Sequence, residues 1–329
     1  MHQGSEWTKL VSRQNPGRHY YYNIRTGEST WRAPSSKIAG HYNRMAGETA
    51  EQRKRDCAIS VRNLHNWLKN MLLRSHCAEG DAVLDLCCGK GGDIFKFKHI
   101  GVSRYTGVDF ADAAIQAARV RATSITFPID LRVADLRQPL DLGPGGAQHD
   151  LVSAQFCMHY FWETEATAAA FMDNAAQHLR PGGHLVATLT DSEVLGIATS
   201  TKRCPGVAGN PLYRVRMCGG DGGAAAGEFG RRYLFSSGST VKDSEEYLVS
   251  MASLRRLAEA RGLDLVMSKN FHQYAYEQFL HPEAPELLEK FRVPPALNRD
   301  EWEVSRNYRA VVFRKRRSAK RKAPGAPDR

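Results

Sequence analysis

Three aspartates, each at or near the end of a strand-like run, mark where this chain can do chemistry. Asp85 sits in D-A-V-L-D-L-C-C-G-K-G-G, which starts at Asp81; Asp109 ends R-Y-T-G-V-D twenty-four residues later, and Asp135 follows I-D-L-R-V-A. A glycine-rich turn after the first strand lets a ligand lie against bare backbone and then opens a helix. A carboxylate after the second strand can accept from two ribose hydroxyls. One after the third can accept from an adenine amino group. Singly, such acids are more often helix caps. In this succession they fit a cofactor that carries a nucleoside.

The elements that must hold these acids in place follow from the same runs. After the third strand come H-D-L-V-S-A-Q-F from His149 as a fourth and L-R-P-G-G-H-L-V-A-T from Leu179 as a turn and a fifth. Strands alternating with helical stretches predict a doubly wound, mostly parallel α/β sheet with its ligand at the carboxyl edge. The turn is not the dinucleotide fingerprint G-x-G-x-x-G. It resembles the acid-x-Gly-x-Gly-x-Gly pattern of S-adenosylmethionine-dependent methyltransferases, with Cys87 in the first glycine place and Gly89 and Gly91 in the next two. The fold class implied is Rossmann-like: a mostly parallel seven-stranded sheet with helices on both faces.

Segments around this core narrow the resemblance. H-Y-N at 41–43 and V-R-N-L-H-N-W-L-K at 61–69, the latter read as an amphipathic helix, stand upstream. Downstream stand A-Q-F-C-M-H-Y (154–160), L-T-D-S (189–192), G-N-P-L-Y (209–213), E-Y-L-V (246–249) and E-W-E-V-S-R-N-Y (301–308). In this order the set resembles the messenger RNA cap guanine-N7 methyltransferases over residues 40–316. The resemblance implies S-adenosyl-L-methionine as cofactor and capped RNA ending in GpppN as substrate. It implies cofactor contacts from Lys69 (to the methionine carboxylate), Cys87, Gly89, Asp109 (ribose), Asp135 (adenine), Gln155 and Tyr160. On the cap side it implies His159 and Glu246 reading the guanine edge, with Phe156 and Tyr308 beside the ring. His65 and Asn66 would lie near the cap, and Lys90, Lys96 and Arg121 along the phosphate bridge. His65 and Thr190 stand where the family commonly has Asn and Pro.

That chemistry needs no proton transfer. Guanine N7 carries a lone pair and no proton, so in-line attack on a sulfonium methyl calls for orientation, worth up to ~7–11 kcal/mol, rather than a general base. His159, Glu246 and Tyr308 are therefore expected to orient substrate. A carboxylate such as Glu246 also stabilises the positive charge that moves onto the purine. Two other readings stay open on the residues alone. One is a methyltransferase for another RNA position or a small molecule, which would need a base of its own. The other is a non-enzymatic adaptor.

The ends of the chain differ from its middle. Residues 1–36 read as three short strands, W-T-K-L-V, H-Y-Y-Y-N-I and E-S-T-W-R, separated by N-P-G and R-T-G turns. With Trp7, G-R-H-Y-Y-Y-N at 17–23, Trp31 and Pro34, the segment resembles a WW domain, and Ile24 stands where that family usually has His. This implies a Tyr20–Trp31 groove for a proline-rich partner peptide in polyproline II form. Residues 37–316 form the second domain and 317–329 a basic tail. The net charge is +11, and R-K-R-R-S-A-K-R-K at 314–322 supplies seven positive charges, leaving +4 on the rest. Such a run binds polyanions or serves as a nuclear address, so a nuclear location is expected. With 42% hydrophobic and 25% charged residues the chain can pack a core. No stretch reaches the ~18 apolar residues of a membrane span, and the first residues lack the apolar core of a secretory signal. Seven cysteines without a C-x-x-C pair predict free thiols and no structural metal. A monomer is expected.

Overall fold

The computed structural model describes residues 7–11, 19–23, 29–30, 58–143, 148–200, 206–218, 227–238 and 241–317. Trp31, Pro34, the H-Y-N segment and the tail beyond Arg317 lie outside them. Near the N-terminus, β1 (Trp7–Val11), β2 (His19–Asn23) and β3 (Ser29–Thr30) pair antiparallel in that order, with Tyr21 opposite Lys9 on one side and Thr30 on the other. The strands fall within the three runs read from the sequence.

The larger unit opens with α1 (Ile59–Arg74), whose buried Val61, Leu64, Leu68, Met71 and Leu72 recur at the helical three-to-four spacing. There follow β4 (Ala82–Leu86), α2 (Ile94–Ile100), β5 (Arg104–Asp109), α3 (Asp112–Ala122), β6 (Ile129–Val133), β7 (His149–Gln155), α4 (Glu165–Gln177) and β8 (Leu179–Thr190). Then come α5 (Ser192–Thr199), β9 (Val207–Asn210), β10 (Tyr213–Met217), β11 (Arg232–Ser237) and β12 (Val241–Tyr247). The chain continues through α6 (Met251–Glu259), β13 (Leu263–Asn270), α7 (Phe271–Phe279), α8 (Ala284–Lys290), α9 (Arg299–Arg306) and β14 (Tyr308–Lys315).

Seven strands form the main sheet in the order β13-β14-β8-β7-β4-β5-β6. The contacts from β8 to β6 are parallel, and only β14, paired antiparallel with both β8 and β13, runs against the rest. Every residue of β4 is buried, as a central strand covered on both faces requires. Its side chains alternate between two cores. Leu84 and Leu86 pack with Phe171 of α4 and Leu254 of α6, while Val83 packs with Trp67 of α1, Ile115 of α3 and Phe271 of α7. Strand order reverses between β4 and β7, so their carboxyl ends flank a crevice, the usual ligand position in such a sheet.

A second sheet, antiparallel in the order β12-β11-β10-β9, is inserted between β8 and β13, and the sequence reading gave no sign of it. It has its own core, in which Tyr213, Val215, Tyr233 and Phe235 meet Val61 of α1, Leu195 of α5 and Val304 of α9. Among the described residues no helix is long and apolar enough to cross a membrane.

Candidate functional site

The crevice is built on unusual backbone. Cys87 and Phe156, the residues just after β4 and β7, both take left-handed conformations, with φ 59° and 54°. That costs a side-chain-bearing residue about 1–2 kcal/mol and is found where a site constrains the chain. Cys87 thus adopts the glycine conformation that its place in the motif demands. Gly89 and Gly91 have φ 53° and 67°, and a Cβ on Gly91 would lie 2.5 Å from Cδ1 of Ile94. Asp109, buried at the end of β5, accepts from the N–H groups of Gly89 and Ala111, both at 2.9 Å, and so ties the glycine turn to the start of α3. Burial raises its pKa against the pull of these bonds.

Beside the turn lies a narrow slot lined by Cys87, Phe110, Ala134, Leu136, Tyr160 and Phe161, with Asp135 and Arg137 at its polar edge. A slot with apolar walls and one carboxylate suits an adenine ring and its amino group. The Asp135 carboxylate is held by the Arg137 guanidinium, Nη2 to Oδ2 at 2.8 Å. Gln155 turns its amide toward the neighbouring strand: Nε2 donates to Ser153 Oγ and Val186 O, and Oε1 accepts from Thr188.

Across the turn is a buried charge cluster. Asp93 accepts from Lys69 at 2.9 Å on each oxygen and from Lys96 at 2.6 Å. Burial alone would raise the Asp93 pKa, but the two ammonium groups hold it well below the usual carboxylate range. Asp85 lies behind, accepting from the Tyr105 hydroxyl at 2.7 Å, and burial together with the Asp93 charge pushes its pKa up to about 7. The two cations outweigh Asp93 and the partly ionised Asp85, and a free amino-acid carboxylate would neutralise the positive charge that remains. Lys96 itself is buried and also bonds Asn66 Oδ1 at 3.2 Å, so it does not stand in solvent as a phosphate contact. Lys90, in the glycine turn, and Arg121, in the last turn of α3, are half-buried and do not line the neighbouring cleft.

That cleft, about 310 Å³, opens between α1, β11, β12, α9 and β14. Five of the anticipated residues line it: His65, Asn66, Lys69, Phe156 and Tyr308. The rings of His65, Phe156 and Tyr308 form a cluster with centroids 4.9–5.7 Å apart. His65 Nε2 lies 3.0 Å from Ser305 Oγ, and burial, helped by Lys69, pushes its pKa down to about 3.

The remaining pair comes from different elements. His159 belongs to a short 3-10 turn after β7 and Glu246 to β12, and both are buried. His159 Nε2 is 3.7 Å from Glu246 Oε2. Burial lowers the His159 pKa to about 3, so at neutral pH this contact is no ion pair. Burial raises Glu246 to about 7, although hydrogen bonds from Tyr233, Ser244 and Tyr160 favour its charged form. His159 Nδ1 is buried with no hydrogen-bond partner, the condition of a group that waits for a ligand. Two contributors escaped the sequence reading. Tyr233 donates to Glu246 at 2.6 Å and contacts Thr190 Oγ1 at 2.9 Å, and Arg137 grips Asp135. The alternation in R-R-Y-L-F-S places Tyr233 on an inner face, but nothing in sequence aims it at Glu246.

Residues 26–316 match the mRNA (guanine-N(7))-methyltransferase domain. The mRNA cap guanine-N(7) methyltransferase 1 of Oryza sativa subsp. japonica is 34% identical over 314 residues, covering 88% of this chain and 84% of the relative. Its Arabidopsis thaliana counterpart is 33% identical over 305 residues, covering 85% and 81%. The mRNA cap guanine-N(7) methyltransferase of Saccharomyces cerevisiae is 32% identical over 283 residues, covering 77% and 61%. The chain belongs to the mRNA cap guanine-N7 methyltransferase family.

Proposed function

We propose that this protein methylates N7 of the terminal guanosine of GpppN-capped RNA, and that it does so by orienting two reactants without a general acid or base. The observation that carries the reading is the buried Glu246–His159 pair, linked to the adenine slot through Tyr160, which lines that slot and hydrogen-bonds Glu246. Ionised Glu246 accepts from guanine N1–H and the exocyclic amine. His159, protonated on Nδ1, donates to O6. Adenine presents the opposite polarity on that edge, so the pair selects guanine.

S-adenosylmethionine supplies a methyl group on positively charged sulfur. The adenine slot, Asp109 and the positive charge of the Lys69–Asp93–Lys96 cluster would hold its three parts. Phe156 and Tyr308, in contact with each other, would lie together beside the guanine and keep N7 on the line of displacement. The Glu246 carboxylate then stabilises the charge that arrives on the purine. No residue has a proton to move, which fits the low pKa of His159 and the absence of an exposed base in the arrangement described.

The proposal extends to the ends of the chain. The three-stranded sheet of β1 to β3 supports a WW-type module in residues 1–36, with Tyr20 and Trp31 taking a proline-rich peptide that recruits the enzyme. The basic tail fits work on RNA in the nucleus, and the enzyme acts as a monomer.

The direct test is transfer of labelled methyl from S-adenosylmethionine to RNA ending in GpppN, followed by nuclease digestion. Label is expected in m7GpppN. Label on a ribose or an internal base, or none at all, would overturn the reading.

A further inference from the structure

Arg137 is tied more closely to the cofactor slot than any other side chain that sequence reasoning passed over. It stands two residues after Asp135, in the turn that follows β6 and is closed by Gln138 N–H on Asp135 O at 3.0 Å. Leu136, between them, is buried and anchors that turn. The guanidinium meets the carboxylate as a fork: Nε lies 2.9 Å from Oδ1 and 3.1 Å from Oδ2, and Nη2 lies 2.8 Å from Oδ2. The Arg137 backbone N–H adds a bond of 3.0 Å to Oδ1. Both side chains line the slot with Cys87 and Tyr160.

We propose that Arg137 is a positioning residue for adenine recognition, acting through Asp135; the proposal rests on the cofactor reading given above. A lone carboxylate on a short side chain swings freely, and covering it with an apolar purine would strip its water at a large cost. The fork removes both problems. It fixes one orientation of the carboxylate, and its charge replaces the lost water. Three N–H hydrogens, the Nε–H shared between both oxygens, occupy the carboxylate, so one of its about four lone-pair sites remains for an exocyclic amino group. A lysine ammonium would supply the charge without the planar two-point grip. The expected consequence is selectivity: a site built around an amino group rejects the analogue that carries an oxo group in its place.

The experiment is titration calorimetry of the full chain with S-adenosylhomocysteine and with its inosine counterpart, in which that amino group is replaced by oxygen. The unaltered protein should prefer the adenine form about tenfold or more. Arg137→Ala should cut that preference at least threefold, Arg137→Lys should cut it nearly as far, and Asp135→Asn should abolish it. The KM for GpppN should stay within twofold in both Arg137 variants. Thermal melts confirm that each variant is folded, and Arg137→Lys carries the comparison if the alanine variant is not. A wild-type preference in a folded Arg137 variant, with Asp135→Asn still abolishing it, would overturn the role of Arg137 alone. A preference that survives Asp135→Asn would overturn the adenine assignment of the slot, and this proposal with it.

Discussion

At the scale of the residue, the site depends on burial setting the charge of two groups in opposite directions. Glu246 ionises only near pH 7 because it is buried, and His159 stays neutral for the same reason. A protonated Glu246 cannot accept from both guanine N–H groups. Cap affinity should therefore rise as pH goes from 6 toward 8, by less than tenfold per unit, and level off above the Glu246 pKa. A fluorescence titration with a GpppG analogue measures this. Glu246→Gln should bind more weakly and lose the slope; a slope that persists would assign it to another group. Glu246→Ala should lose methyl transfer by two or more orders of magnitude while S-adenosylhomocysteine affinity stays within about twofold. Cys87 makes a different point. Its left-handed φ of 59° carries strain that Cys87→Gly would relieve, at the cost of a more flexible unfolded chain. The two effects nearly cancel, so stability should change by less than about 1 kcal/mol in denaturant melts. Cys87→Val, β-branched in the same conformation, should be clearly destabilised.

At the scale of the element, under the proposed function the main sheet supplies the cofactor side and the inserted sheet brings Glu246, its guanine reader, to it. Glu246 is the sixth residue of β12, Tyr233 lies directly opposite it on β11, and the Tyr233 hydroxyl spans to Thr190 at the end of β8. Tyr233→Phe removes a hydrogen bond to the charged carboxylate, so the midpoint of the pH-dependent cap binding should move upward while cofactor affinity holds. An unchanged midpoint would leave Tyr233 with a packing role only. The glycine turn is less forgiving. Gly91→Ala combines a φ of 67° with a contact on buried Ile94, and a loss of about 1–3 kcal/mol in stability together with weaker cofactor binding is expected. Strands β4, β5, β7 and β8 were legible in sequence because they are largely buried and read as apolar runs ending in acids or small residues, whereas the half-exposed edge strand β13 was not read. The inserted sheet was not, because β9 to β12 are short, half-exposed and split by loops rich in glycine, a pattern shared with irregular chain. Among site residues, Phe156, Tyr308 and His65 do converge on one cleft. Lys96 is placed along the phosphate bridge by the resemblance, because a lysine's type does not reveal that Asp93, three residues earlier, holds it inside the protein. Arg137 was passed over because its importance lies in a grip on Asp135 that only the turn geometry creates.

At the scale of the whole molecule, the same burial that tunes the site should set how the fold responds to acid. Burial is the main cause that pushes His65 and His159 down to about 3 and His76 and His149 down to about 4. Each such histidine stays neutral in the folded chain but takes up a proton near pH 6.5 once unfolded. Their contribution to stability is therefore complete above 6.5 and is lost as pH falls toward the folded values. Asp85 and Glu246 act in the other direction. Raised to about 7, they bind protons in the folded chain before the unfolded one does, so lowering the pH through 7 favours the fold. His184, also pushed down, and Asp109, also raised, add one group to each side, so the histidines still outnumber the carboxyls, and the carboxyl benefit stops growing once unfolded Asp and Glu also protonate, near pH 4. The melting temperature of the ligand-free protein should thus be highest close to pH 7 and fall steadily from 6.5 to 5. Adding Glu246→Gln, which removes one of the opposing carboxyls, should steepen that fall. His65→Asn should flatten it, provided the contact with Ser305 is kept by the amide. Melts at constant ionic strength across this range test the argument, and a melting temperature that stays level from pH 7 to pH 5 in the unaltered protein would contradict it.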